Sequence, residues 1–333
     1  MPTRVRSHAK INLGLAIGPA RGDGYHALTT IYQTLAVHDW VQVQAQFSGS
    51  AEIRITCTED RVPCDATNTC WRAVELAMDR LNRTARVHIH IEKRLPMQGG
   101  LGAGSANAAA ALLGLERELG TPLPPGERLA IAAETGSDVP LFLMGGTVLG
   151  LGRGEDVYPL PDLPPVPCVV AVPDTGVSTP QAFRDWDRLQ ESQGLTGTAG
   201  FDRLKQLGRE WAAALSSPSG TVANATGVFP AKDRAGNLLL ELVRAGIEND
   251  FEQVVFSQYP SLHDILEILK KPVAGQSAAI CAGLSGSGSA LFGLYPAAED
   301  AAAAGARLRR AGVMALETAL LPRASYWAGA VQG

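Results

Sequence analysis

The sequence predicts a mixed α/β chain of two domains. Strand patterns dominate the first third of its 333 residues, and a strand, a glycine-rich loop and an alanine-rich helix then follow one another directly. A chain of this length is sufficient for two cores of ordinary size. The proline-rich segment 159–167 can continue neither a helix nor a central strand. We therefore predict domains at residues 1–160 and 161–333.

The first domain begins with strands. Apolar runs separated by a Gly-Asp-Gly turn at 22–24 and by other turn residues predict strands at 3–17, 30–47 and 52–58. Asn68 is a favourable N-cap, and the apolar residues after it recur at helical spacing, so a helix should begin there. Alternation of apolar and polar residues predicts the next strand at 86–95.

A glycine turn after this strand leads into further helices. An alanine-rich run predicts a helix at 105–115, and a second helix at 125–135 should end at Gly136. Glycine-punctuated apolar residues then predict a pair of strands within 140–160.

The second domain alternates short strands and helices. The patterns predict strands at 168–172, 290–295 and 313–321, and helices at 246–257, 261–269 and 298–310. A glycine-serine turn lies at 284–289. The stretch 190–234 is polar and rich in Gly and Ser, so neither an element nor a function is predicted for it.

Composition excludes several classes of protein. A hydrophobic fraction of 46% argues against a disordered chain, and a net charge of −4 supplies no general attraction for nucleic acid or an anionic membrane. Five cysteines without CxxC spacing disfavour a disulfide framework and a zinc ribbon, which suits a reducing cytoplasm. Lys10 and Asn12 interrupt any signal-peptide core, and the longest apolar window, 141–151, is too short to span a bilayer.

The strongest chemical signal is a glycine-rich turn from Gly99 to Ser105. Its four glycines lack the side chains that would keep backbone N–H groups away from phosphate oxygens, and the following helix adds its dipole. Ser105 adds a hydroxyl for a phosphate oxygen or a magnesium ion. The segment matches neither a P-loop nor a dinucleotide fingerprint. A purely structural turn is the alternative, but it needs fewer glycines.

Two charged residues suggest phosphoryl transfer. Lys10 shares a face of the apolar first strand with Asn12, where a charge needs a partner or an open cleft, although an edge lysine that merely reaches solvent would look the same. Asp138 could be an ordinary turn residue. A kinase acting on an alcohol uses a carboxylate to accept or orient the hydroxyl proton, and a nearby ammonium stabilises that carboxylate. Lys10 is the candidate ammonium.

Two weaker signals remain. The turn at 284–289 could close over a phosphate or simply join two elements. His88, His90 and Glu92 share a strand face and could bind a metal, but polar side chains on a solvent-facing strand are far commoner. No metal site is assigned.

Taken together, these segments resemble the GHMP kinase superfamily. The resemblance is carried by AKINLGL, RGDGYHAL, PMQGGLGAGSANAA, SDVPLF and SGSGSALF. It narrows, through Asp23, Gly24, Tyr25 and His26, to the members that phosphorylate a cytidylated methylerythritol in non-mevalonate (MEP) isoprenoid biosynthesis. It implies a ribosomal-protein-S5-like N-terminal domain, a ferredoxin-like C-terminal domain, ATP as co-substrate with Mg²⁺ on its phosphates, and a monomer or homodimer.

The resemblance also implies a role for individual residues. Lys10 and Asp138 correspond to the catalytic pair. The ATP-binding positions are Asn68, Lys93, Pro96, Gly99, Gly100, Leu101, Gly102, Ala103, Gly104, Ser105 and Ala106. The substrate-binding positions are Asn12, Asp23, Tyr25, His26, Phe183, Gly286 and Ser287, with Tyr25 and Phe183 on opposite faces of the pyrimidine.

This chain departs from the superfamily pattern at three loop positions. Gln98 and Ala103 stand where glycine is usual, and Ala106 stands where a second serine is usual. If position 103 requires a positive φ, alanine is strained there by about 1 kcal/mol, and the loop should take a different course. Two other readings stay open: a GHMP kinase for homoserine, mevalonate or a sugar, and a nucleotide-binding member without catalysis.

Overall fold

The computed structural model describes residues 1–97, 99–192, 198–216, 234–272 and 275–332. Its strands, in chain order, are β1 Thr3–Ala20, β2 His26–Phe47, β3 Glu52–Cys57, β4 Ala85–Glu92, β5 Thr147–Leu151, β6 Asp156–Pro159, β7 Pro167–Val172, β8 Cys281–Leu284, β9 Leu291–Leu294, β10 Met314–Ala319 and β11 Val331–Gln332. Its helices are α1 Thr69–Leu81, α2 Ala103–Leu119, α3 Pro125–Thr135, α4 Thr179–Ser192, α5 Thr198–Ser216, α6 Arg234–Arg244, α7 Glu252–Gln258, α8 Pro260–Lys270, α9 Ala298–Arg310 and α10 Arg323–Trp327.

The first sheet is built on two long antiparallel strands, β1 and β2. Its main path runs β11-β1-β2-β4-β3, with β5 and β6 added beside β2. All of these pairs are antiparallel except β3 with β4. Helix α2 packs on β1 and β2, and its small buried residues allow a close approach, since Gly114 lies directly against Val43. This packing holds the N-terminus of α2 beside the middle of β1.

The second sheet has the strand order β10-β7-β9-β8, with all pairs antiparallel. In chain order the unit reads strand, helices, two strands, helix, strand, which is the ferredoxin-like arrangement that was predicted. The two-domain α/β fold class is confirmed. The division at residue 160 stays a prediction.

Several local predictions are confirmed. Asn68 caps α1 by accepting a 2.8 Å hydrogen bond from the Cys70 N–H, and α3 covers residues 125–135 as expected. The first part of the predicted strand pair is instead a 3₁₀ helix, Pro140–Leu143, because Pro140 supplies a preset helical first position and no N–H for a strand ladder.

The stretch 190–234 contains a helix that was not predicted. Within it α5 buries Trp211, Leu204 and Leu215 against β1 and β2. Its apolar residues recur at helical spacing, but the surrounding Gly and Ser residues obscured the pattern. The predictions that concern 193–197 and 217–233 lie outside the described residues. The predicted helix at 246–257 is also shorter, because α7 begins only at Glu252.

None of the helices in the described ranges is both long and apolar enough to cross a membrane.

Candidate active site

The glycine turn forms the entry to α2. Gly99, Gly100 and Gly102 have φ of +112°, +79° and +68°, a region that favours glycine, and Gly102 is the N-cap. No side chain among the described residues caps this helix, so the backbone N–H groups of its first turn are available for an anion. The turn therefore has the predicted geometry of a phosphate-binding loop.

Ala103 is accommodated without backbone strain. It is the first residue of α2 and is not among the residues with positive φ, so the condition under which alanine would be strained at this position is not met. The left-handed conformations fall on the three neighbouring glycines instead. Ala106 is buried in the same helix, and its backbone N–H donates to the Gly102 carbonyl at 2.8 Å. Gln98 lies outside the described residues.

The late glycine turn is joined to this loop. The Ala290 N–H donates to the Gly99 carbonyl at 3.1 Å, and the Ser285 hydroxyl donates to the Gly100 carbonyl at 3.0 Å. A Cβ at Gly100 would lie 2.1 Å from the Ser285 carbonyl oxygen, so the approach requires glycine. The two turns, far apart in sequence, form one continuous structure.

The first strand passes beneath the same loop. The Lys10 N–H donates to the Leu101 carbonyl at 3.0 Å, and the Asn12 N–H donates to the Ser285 hydroxyl oxygen at 3.3 Å. Gly286 faces both side chains, since a Cβ there would lie 3.5 Å from Asn12 Oδ1 and 3.8 Å from Lys10 Nζ. The structure thus brings Lys10, Asn12, the glycine loop and the late turn together.

Lys10 and Asp138 form an ion pair, as predicted. Lys10 Nζ lies 3.1 Å from Asp138 Oδ2 and also donates to Asn12 Oδ1 at 2.6 Å. The Lys10 side chain is 3% exposed, whereas that of Asp138 is 31% exposed. The lysine charge is therefore enclosed by the protein, while the carboxylate is partly exposed to solvent.

Tyr32 is a further member of this cluster that the sequence did not reveal. Its hydroxyl donates to Asp138 Oδ1 at 3.0 Å, and Lys10 Nζ lies 5.4 Å from the centre of its ring. Burial raises the pKa of Tyr32 well above its usual value, and Asp138 raises it further, so the phenol keeps its proton and acts as a donor. An apolar strand position carrying Tyr reads as core, which is why it was missed.

A separate aromatic group lies at the start of β2. The His26 ring stacks on Phe183 with centroids 4.7 Å apart and planes inclined by 12°. Tyr25 is 52% exposed, and the Arg153 guanidinium lies 4.8 Å from its ring centre. Asp23 Oδ1 accepts from the Tyr25 N–H at 3.1 Å and so shapes the turn. His26 and Phe183 are therefore in direct contact, and Tyr25 directly precedes His26 in the chain. We refer to these three residues as the aromatic edge, and their role in binding a substrate stays a prediction.

A cleft of about 700 Å³ adjoins the glycine loop at Gly99. Lys93, Pro96 and Gly99 line it together with residues 172–177 and 288–289. Its volume suits a small-molecule ligand. Asn68 does not line it, and its amide is engaged by the Cys70 N–H and the Pro63 carbonyl.

Comparisons with known proteins show which family the chain belongs to. Residues 68–146 match the GHMP kinases N terminal domain, and residues 232–313 match the GHMP kinases C terminal family. A 4-diphosphocytidyl-2-C-methyl-D-erythritol kinase of Solibacter usitatus is 38% identical over 291 residues, which cover 87% of this chain and 80% of the relative. The chain belongs to this kinase family. A Synechococcus member is 36% identical over 91% of this chain and 88% of its own.

Solved structures add the fold. A crystal structure of 4-(cytidine 5'-diphospho)-2C-methyl-D-erythritol kinase aligns with a TM-score of 0.66 and 28% identity, covering 95% of this chain and 98% of that one. Homoserine kinase from Cytophaga hutchinsonii aligns with a TM-score of 0.70 over 99% and 96% of the two chains, but its 18% identity shows the shared fold alone. The chain is thus a small-molecule kinase of the GHMP fold.

Proposed function

We propose that this kinase transfers the γ-phosphoryl group of ATP to the 2-hydroxyl of 4-diphosphocytidyl-2-C-methyl-D-erythritol. The products are ADP and the 2-phosphate, an intermediate of non-mevalonate isoprenoid biosynthesis. The names of the relatives support the substrate. The observation that carries the proposal is the open carboxylate of Asp138, held between Lys10 and Tyr32 beside the glycine loop.

Asp138 is the proposed acceptor of the hydroxyl proton. Its two oxygens offer about four lone-pair sites, and Lys10 and Tyr32 each occupy one. The remaining sites and the 31% exposure allow a substrate hydroxyl to donate to the same carboxylate. Both existing partners are donors, so they hold the carboxylate in one orientation and leave its other lone pairs free for the substrate hydroxyl.

Lys10 and the glycine loop are the proposed stabilisers of the transferred group. The ammonium is bound to Asp138 and Asn12 and lies near Gly286, so its position is fixed before substrate arrives. Fixed positive groups of this kind favour the charge that develops on a phosphoryl group in flight. The first-turn amides of α2 provide the corresponding donors for the ATP phosphates.

Mg²⁺ would accompany the nucleotide. Within the described ranges no cluster of three or more His, Cys, Asp or Glu side chains is arranged to hold a metal ion, so the phosphate oxygens themselves would be its main ligands. Ser105, at the start of α2, and Asp138 are the side chains of this site whose oxygens suit such an ion. When bound, the ion withdraws charge from the phosphoryl oxygens.

The aromatic edge is the proposed site of the cytosine. His26 and Tyr32 lie on the same extended strand, six residues apart, which corresponds to about 20 Å along the backbone. A substrate as small as homoserine cannot reach from this edge to Asp138. A nucleotide joined to its acceptor alcohol through a diphosphate has the required length, with Asn12 and Ser287 near its path.

The cleft lined by Lys93 and Pro96 is the proposed site of the adenosine. It adjoins Gly99 and therefore continues from the phosphate loop. Lys93 Nζ is bound to Asp39, so its contact with a nucleotide would be made mainly by the aliphatic stem. The amide of Asn68 would have to exchange its capping bonds to reach the base.

The experiment is a substrate panel. Purified protein with ATP and Mg²⁺ is offered the cytidylated methylerythritol, homoserine, mevalonate or galactose, and ADP release is measured. We expect ADP with the first compound only. ADP with another alcohol alone would replace the proposed substrate, and the absence of ADP with all four would remove the catalytic assignment.

A matched substitution tests base recognition. Tyr25→Ala should raise KM for the cytidylated substrate about tenfold or more, because stacking on a base contributes about 1–3 kcal/mol. Its kcat should stay within about threefold. Tyr158→Ala is the control, since Tyr158 is 53% exposed against 52% for Tyr25 but lies in β6. Equal KM values for Tyr25→Ala and wild type would remove Tyr25 from the base site.

A further inference from the structure

We propose that Asp187 is a positioning residue that fixes the tautomer of His26 and thereby makes the site select cytosine over uracil. This inference rests on the proposed function. His26 belongs to the predicted substrate site, whereas neither the sequence patterns nor the family resemblance assigns a role to Asp187.

The side chains of His26 and Asp187 are in direct contact. His26 Nε2 lies 2.7 Å from Asp187 Oδ1, and the His26 side chain is only 9% exposed. An ionised carboxylate only accepts hydrogen bonds, so the hydrogen of this bond must reside on Nε2. In the neutral imidazole Nδ1 then carries a lone pair.

Helix α4 holds the His26 ring on two sides. Phe183 and Asp187 are four residues apart on α4, which brings them to the same helix face. Phe183 supports the flat side of the His26 ring, and Asp187 binds its edge. Phe251 contacts Phe183 edge-on with centroids 4.9 Å apart, so the support itself is held in place. A flip of the ring would lose the bond to Asp187, and a tilt would also lose the stacking on Phe183.

The Nδ1 lone pair of His26 matches the hydrogen-bonding pattern of cytosine. The exocyclic amino group of cytosine is a donor, whereas uracil carries a carbonyl oxygen at the same position. An Nδ1 lone pair accepts a hydrogen bond from the amino group and repels the carbonyl oxygen. A polar site built for one pattern discriminates strongly against the other, because the wrong partner leaves buried groups unpaired.

The direct test is the tautomer of His26. Protein labelled with ¹⁵N-histidine is measured by long-range ¹H–¹⁵N NMR at about pH 9, where an ordinary imidazole is neutral. The His26 signals are identified by their loss in His26→Gln. We expect the Nε2–H form in wild type. An Nδ1–H form would overturn the proposal whether or not the enzyme accepts a cytidylated substrate.

The functional test uses Asp187→Asn. The new amide can donate to Nε2 as well as accept, so it no longer enforces one tautomer. We expect the ratio of kcat/KM for the cytidylated substrate to that for its uridine analogue to fall at least about tenfold, through KM, with kcat within about threefold. The ratio of the Kd values of CDP and UDP, measured by calorimetry, should shift in the same direction. An unchanged ratio would overturn the proposal.

Asp185→Asn is the matched control. Asp185 lies on the same helix but is bonded to Gln181, Gln258 and Arg188 rather than to His26. It should leave both ratios and the His26 tautomer unchanged, and a change equal to that of Asp187→Asn would overturn the proposal. Asp187 itself is 45% exposed, so its replacement should not prevent folding. If wild type shows the Nε2–H form but phosphorylates no cytidylated substrate, the proposed function fails and the tautomer assignment stands.

Discussion

Two buried lysine–aspartate pairs in the first half of the chain use the same groups for different purposes. Lys93 Nζ lies 2.5 Å from Asp39 Oδ2, and Lys10 Nζ lies 3.1 Å from Asp138 Oδ2. Both lysines are almost fully enclosed. Asp39 is 0% exposed, however, whereas Asp138 is 31% exposed. The difference lies in the carboxylate and in what else it binds.

The enclosed carboxylate of Asp39 stabilises the local fold. Asp39 Oδ1 also accepts from the N–H groups of Arg94 and Leu95, at 2.7 Å each, and so fixes the segment that leaves β4 for the glycine loop. The partners of Asp138 are two side chains, and the carboxylate remains partly exposed. A buried pair that is closed on all sides is structural, whereas one left open on the acid side can act on a substrate.

The largest expected effect separates the two lysines. Lys10→Met should lower kcat about 1,000-fold, because it removes a fixed positive group from the site of phosphoryl transfer. The free energy of unfolding should change by less than about 2 kcal/mol, because Asp138 can be solvated. Steady-state kinetics and urea unfolding measure both quantities. A kcat within tenfold of wild type would assign Lys10 a structural role like that of Lys93.

The next effect concerns stability. Asp39→Asn should lower the free energy of unfolding by about 3 kcal/mol, because it leaves the enclosed Lys93 charge without a counter-ion. The kcat of the folded protein should stay within about threefold of wild type. Urea unfolding and kinetics at saturating ATP measure these values. A large loss of kcat without loss of stability would contradict the distinction between the pairs.

A smaller effect is expected at Gly102, where the glycine loop packs against Lys10. A Cβ at Gly102 would lie 3.1 Å from Lys10 Cγ and 3.0 Å from Phe142 Cζ, and the φ of +68° is unfavourable for alanine. Gly102→Ala should therefore displace Lys10 and lower kcat about 30-fold.

Gly104→Ala is the control for this substitution. Among the described residues, a Cβ there would meet Thr69 Oγ1 alone, at 3.8 Å, and the residue is helical, so stability should be unchanged or slightly higher. Its KM for ATP should rise if phosphates approach this backbone, as predicted, whereas its kcat should stay near that of wild type. Equal kcat losses in the two variants would show that the Lys10 contact does not matter.

The smallest effect concerns Tyr32. Tyr32→Phe removes the hydroxyl that orients Asp138 and should lower kcat about tenfold and stability by about 1 kcal/mol. Tyr326→Phe removes a similarly buried hydroxyl, which donates to the Phe142 carbonyl at 2.6 Å, and should lower stability alike with kcat unchanged. Thermal unfolding and initial rates compare them. The same kcat in both variants would show that Tyr32 has no catalytic effect through Asp138.

Much of the fold could be predicted because its signals are local. Asn68 is recognisable as a helix cap from its own chemistry and its neighbours. The glycine turn predicts both the start of a helix and a phosphate site. The ferredoxin-like order of the second sheet came from the family resemblance. Local signals failed where context outweighed them, as at α5 among Gly and Ser residues and at the 3₁₀ helix beginning with Pro140.

The site residues that were missed depend on contacts between distant segments. Tyr32 reads as a core residue of β2 until the fold brings Asp138, 106 positions later, against its hydroxyl. Asp187 lies in a segment for which no element was predicted, and its contact with His26 exists only in the folded chain. From the sequence, only the family resemblance distinguishes the two lysines, because the exposure of the partner carboxylate exists only in the folded chain.

The most direct test of the account is a rapid-quench measurement of phosphoryl transfer in wild type, Asp138→Asn and Asp39→Asn. All three are measured with saturating ATP, Mg²⁺ and cytidylated substrate, and the rate of the chemical step is compared per folded molecule. We expect Asp39→Asn to transfer the phosphoryl group at nearly the wild-type rate and Asp138→Asn to be slower by about 100-fold to 10,000-fold. Transfer by Asp138→Asn at the wild-type rate would contradict the assignment of phosphoryl transfer to Lys10 and Asp138.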